Sequence, residues 1–129
     1  MFFQAVSVTC EFGVDIRTEF GACGTCETVF AMMDAQSWNF TVQGYAMGPL
    51  RYLSEGNTAN SVLMYRLGAF EAIVRVANDL RINYLGRASA KNALQQIVRC
   101  LTDADTVDQD ELQTVLRRVL ARMPSTISP

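Results

Sequence analysis

Two of the four thiols in this sequence, Cys23 and Cys26, stand three residues apart in Cys23-Gly24-Thr25-Cys26, just ahead of a stretch with helical spacing. A thiol at the start of a helix meets free backbone amides and the positive end of the dipole. Both favour the thiolate, the attacking form in thiol–disulfide exchange. The pair therefore predicts a thiol-redox function as one reading, and inert buried thiols as another. Three features weigh against redox work: no aromatic residue adjoins Cys23, Glu27 sets an opposing charge beside the pair, and Pro49 is the only interior proline that could lie against it.

A metal is the third reading. Cys10, Cys23 and Cys26 offer three thiolates, and Cys100 completes a four-sulfur set only if its helix folds back onto the N-terminal segment. Structural zinc is normally held by two close pairs, and one is present, so the expectation is no cofactor, with zinc the metal left open. The sequence contains no histidine, which removes every mechanism that needs an imidazole as base or ligand. Asp15 and Glu19 are spaced as an acid and base could be, but surface carboxylates are usually solvated charge, and no catalytic residue is assigned. The acidic run 102–111 resembles a calcium loop, yet Val107 occupies the third ligand position and the loop glycine is missing. It reads as a helix connection.

Four arginines, Arg99, Arg117, Arg118 and Arg122, fall on the last two expected helices and could span phosphates. Five acidic residues between 103 and 111 dilute their field, and the chain's net charge is −2. Nucleic acid is thus an alternative partner and not the favoured one. Residues 1–79 set four arginines against eight acids, whereas the remainder has seven basic residues against five. Lys91 is the sole lysine beside ten arginines. A GC-rich coding sequence explains this most simply; a host-facing, viral or effector-like accessory protein that avoids lysine modification is the sharper reading.

The elements that must position these residues point to one α+β domain over 1–129. Strands are expected near 3–10 and 38–45, where β-branched or aromatic residues alternate with polar ones. A short helix is expected from Cys26 to about Trp38, and Gly48-Pro49 is expected to close this part. A bundle of three to four helices comes next. Asn57 or Asn60 caps a helix to about Leu80, expected to be central, with Gly68 inside it where another backbone comes close, and with Glu71, Arg75 and Asp79 as an ion-pair ladder. Further helices are expected over 88–101 and 109–123, the latter with Asp108 and Glu111 as a capping box.

Leu112, Val115, Leu116, Val119 and Met123 form an apolar stripe on the last helix and are the candidate interface residues. Stripes this broad in a chain this short are fully covered only if the N-terminal sheet or a second copy lies over them, and a homodimer is the simplest expectation. No run reaches the roughly 18 apolar residues of a membrane span and no secretory leader is visible, so a cytoplasmic or nuclear protein without membrane contact is expected. The functional expectation is a non-enzymatic interaction or regulatory protein acting through homo-oligomerisation and protein partners.

Overall fold

The computed structural model describes residues 14–127. Among them seven helices and no strand are found: α1 (Val14–Ala22), α2 (Thr25–Ala35), α3 (Phe40–Ser54), α4 (Thr58–Arg66), α5 (Ala69–Asn78), α6 (Tyr84–Leu101) and α7 (Gln109–Arg122). The α+β expectation is therefore corrected to a helical fold. The strand expected near 3–10 lies outside the described residues, and the one expected at 38–45 is the start of α3.

The reason lies in Asn39 and in the residues after Tyr45. The Asn39 side chain accepts hydrogen bonds from the Thr41 and Val42 amides at 3.1 and 3.3 Å, the geometry of a helix N-cap. Downstream, Ala46, Met47, Leu50 and Leu53 recur at helical spacing and are fully buried. Pro49 stands inside this helix without ending it. An interior proline costs about 3 kcal/mol, whereas full burial of each large apolar side chain contributes about 1.5–3 kcal/mol. Met47, Leu50 and Leu53 together outweigh the proline.

The segment 58–80 is two helices instead of one. Asn57 is the cap of α4, accepting from the Asn60 amide at 2.9 Å, and the chain breaks at Leu67-Gly68 before α5. Gly68 has φ +89 and open space where a Cβ would stand. It serves the left-handed turn, which costs an L-residue about 1–2 kcal/mol, and not a close backbone contact. The expected ladder is also rearranged: Glu71 pairs with Arg122 at 2.8 Å and Asp79 with Arg81 at 2.8 Å.

The centre is held by α3 and α6, the most extensively packed pair, with α5 and α4 next against α6. Helix α6 begins at Tyr84, earlier than its apolar stripe suggests, because Asn83 accepts from the Gly86 amide at 2.8 Å. Asp108 caps α7 by accepting from the Asp110 and Glu111 amides at 3.0 and 3.2 Å. Gln109 ties that start to the end of α6, donating to the carbonyls of Leu101 and Ala104 at 2.9 and 3.2 Å. At the far end Asn78 donates to the Arg122 carbonyl at 2.8 Å.

Candidate functional site

The thiol turn joins α1 to α2. Gly24, with φ +85, takes the left-handed position before α2, and its carbonyl accepts from the Thr28 amide and hydroxyl at 3.0 and 2.9 Å. Cys23 is exposed ahead of the helix, while Cys26 lies one turn of backbone further on and is fully buried. The turn thus presents one accessible thiol and one enclosed in the core. Cys100 is on α6, away from this turn in sequence, and its thiol faces the Ser54 carbonyl at 3.6 Å. Among the described residues no three Cys, Asp or Glu side chains gather as a metal ion would require, and Cys10 is outside them.

The enclosure of Cys26 has a measurable outcome. With a thiol-alkylating reagent under native conditions, Cys23 should modify rapidly and Cys26 about a hundredfold more slowly, the ratio expected if exposing it needs an opening of about 3 kcal/mol. Peptide mass mapping over time separates the two. Equal rates would mean that the start of α2 opens freely.

The four candidate arginines do not form one uncommitted face. Arg122 is engaged with Glu71, both of whose oxygens accept from it at 2.8 and 3.0 Å. Arg117 and Arg118 are exposed on α7, and Arg99 is exposed in the last turn of α6. Helix α7 packs chiefly on α5. Of the candidate interface residues, Leu112, Leu116 and Val119 are buried in the chain's own core, and Val115 and Met123 pack against that core partly covered.

The large exposed apolar side chains lie mostly in two other stretches. Trp38, Phe40, Tyr45, Leu80, Tyr84 and Leu85 are exposed, Trp38 by 73%, Leu80 by 84% and Leu85 by 71%. They belong to two stretches, 38–45 and 80–85, that touch in space. The Arg81 guanidinium lies 5.5 Å from the centre of the Phe40 ring, and a Cβ on Gly44 would stand 3.0 Å from the Ile82 side chain.

Beside these stretches is a recess of about 390 Å³ lined by Ser37, Gln43, Arg75, Val76, Asn78, Asp79, Arg81 and Ile82. Its wall is held from within. Gln43 is buried and donates to the carbonyls of Met33 and Gln36 at 2.9 and 3.0 Å. Arg81 grips Asp79 through Nε and Nη2 at 3.0 and 2.8 Å, and these hydrogen bonds hold the Asp79 carboxyl below its ordinary range.

The sequence reading missed this surface because it placed Trp38 and Phe40 on a strand and Leu80 in a helical stripe. The available signal was capping. Asn39 and Asn83 each mark a helix start, and apolar side chains next to a cap sit at the end of a helix, where the core no longer covers them. Among the described residues no helix is long and apolar enough to cross a membrane. No family model, curated protein or solved structure matches the chain.

Proposed function

We propose that this chain is a non-enzymatic interaction domain that recognises protein partners through the apolar surface formed by 38–45 and 80–85. The observation that carries the reading is where the exposed apolar side chains fall. Of the seven large ones exposed among the described residues, only Leu120 lies elsewhere. An open aromatic side chain presents about 150–250 Å². At the observed exposures the six together offer roughly 600–700 Å², counted with the same allowance and somewhat less for each leucine. That summed area approaches the about 800 Å² that each side gives to a standard interface.

The stripes of α5, α6 and α7 that called for a second copy are largely covered within the chain, with Ile73, Ile97 and Leu112 fully buried. The large apolar side chains left exposed for self-association among the described residues are these six and Leu120. An environment-sensitive dye that binds exposed apolar groups should bind the folded chain. Its signal should fall several-fold in the double variant Leu80→Ser/Leu85→Ser, whose melting temperature should move by no more than about 4 °C, because each such exposed substitution stays within about 0.5 kcal/mol. A folded chain that binds no dye, and sediments as a monomer at all concentrations, would end the proposal.

A further inference from the structure

We propose that the occupant of this surface is an acidic amphipathic segment of another protein, its apolar side chains set on Trp38 and Leu85 and a carboxylate in the recess between Arg75 and Arg81. The inference rests on the reading of the patch as a protein-contact surface and adds the chemistry of the partner.

Charge is the first argument. The chain is acidic overall, with a net charge of −2, yet the recess beside the patch has two guanidiniums on its wall and one carboxylate. Glu71 and Asp79, the carboxylates four residues either side of Arg75, are engaged by Arg122 and Arg81. An incoming carboxylate thus meets an excess of positive charge next to apolar side chains, the pairing that gives an interface both area and register.

Preorganisation is the second. Arg81 is fixed on two sides, by Asp79 through Nε and Nη2 and by the Phe40 ring 5.5 Å away. A guanidinium has five N–H donors in a rigid fork, so the Nη1 edge is held ready for a second carboxylate with little loss of side-chain entropy.

Two other occupants fit less well. In a two-fold dimer the same patch serves both copies, and the one carboxylate on the recess wall, Asp79, is already engaged by Arg81. An anionic lipid surface is typically read by clusters of about 4–8 lysines and arginines, more than this recess provides, and a flat bilayer leaves a recess unfilled.

The test is a fluorescence titration of the intact chain, in which Trp38 is the only tryptophan. Three tryptophan-free synthetic peptides share one helical pattern: leucines at i, i+3, i+4 and i+7 with glutamates elsewhere, the same leucines with lysines, and the glutamate peptide with its leucines replaced by serine. The acidic leucine peptide should shift Trp38 emission to the blue and saturate. The lysine peptide should bind at least about tenfold more weakly, the serine peptide should not saturate, and Arg75→Glu should weaken the acidic peptide about tenfold at unchanged melting temperature.

Equal or tighter binding of the lysine peptide, no change in Arg75→Glu, or no saturation by any peptide would overturn the inference. A blue shift with phosphatidylserine vesicles and none with the acidic peptide would overturn it in favour of a membrane, and a dimer that excludes the peptide would do so in favour of a second copy. Dye binding separates the two levels. A chain that binds dye but does not prefer the acidic peptide keeps its contact surface and loses this occupant, whereas a chain that binds neither loses both.

Discussion

Asn60→Asp should lower the melting temperature by about 15 °C at neutral pH, more than Asn60→Ala does, although it changes only an NH2 group to an oxygen. Asn60 is 3% exposed and joins three helices. Its side-chain nitrogen donates to the Arg17 carbonyl of α1 at 2.9 Å and to the Leu53 carbonyl of α3 at 3.0 Å. Its own amide is held by the Asn57 side chain, which in turn donates to the Thr18 hydroxyl at 3.0 Å. Each such bond contributes about 1 kcal/mol net, but a buried carbonyl left without a donor costs about 1–3 kcal/mol. Alanine removes one buried donor from each of two carbonyls; aspartate also turns a carboxylate toward them.

The pH dependence has a definite sign. Burial and facing carbonyls raise the folded-state pKa of the new carboxyl above its unfolded value. The stability of the variant is then fully present below the ordinary aspartate pKa and lost as pH rises through the folded value. The gap to the native protein should be smallest near pH ~4 and largest near pH ~7. Thermal melts followed by circular dichroism at both ends measure it, and a variant within about 3 °C of the native protein at neutral pH would show that the seam does not hold α1 in place. Gly21→Ala strikes the same seam from the other side, because a Cβ there overlaps the Asn60 side-chain oxygen and lies 2.9 Å from its Cγ.

The C-terminal half of the fold was legible because its signals are local. Asp108 precedes a stripe of Leu112, Leu116 and Val119 that repeats every three or four residues, and cap and stripe agree on the same helix. In α6 the stripe from Ala90 to Leu101 was equally clear, but its first turn was hidden by Gly86, a poor helix former kept for a tertiary reason. The stretch 38–45 misled because Trp38, Phe40 and Val42 alternate as a half-buried strand would. Only Asn39 and the later spacing of Met47, Leu50 and Leu53 contradict that period, and Gly48-Pro49, residues that usually break a helix, stand between the two.

The candidate surface was less legible than the fold. Whether a leucine beside a helix end is covered depends on which helices meet there, and that is settled by contacts distant in sequence. Leu80 and Leu101 look alike on their segments, yet one is 84% exposed and the other fully buried. The thiol pair shows the same limit. Spacing placed Cys23 and Cys26 at a helix start, where both are found, but could not say that packing would enclose one of them.

Gly86→Ala should destabilise the protein by about 2–3 kcal/mol even though alanine is favoured over glycine in a helix by about 1 kcal/mol. The sign is set by the crossing of α3 and α6. A Cβ on Gly86 would stand 2.7 Å from the Ile82 side chain and 3.3 Å from the Gly44 Cα, which is backbone and cannot rotate away. Ile82 is only 4% exposed, so it too has little room to retreat. Substitution at Gly44 presses on the same methyl at 3.0 Å and should cost less, since that single contact is its main obstacle. The clash is separable from propensity by a double-mutant cycle. Ile82→Ala alone should cost about 2–4 kcal/mol through the cavity it leaves, but combined with Gly86→Ala the two losses should sum to at least about 1 kcal/mol less than additivity, because the new methyl fills space that Ile82 vacates. Denaturant titration of the four proteins gives the coupling. Strict additivity, or a Gly86→Ala protein more stable than the native chain, would show that α3 and α6 do not approach as closely as the two glycines require.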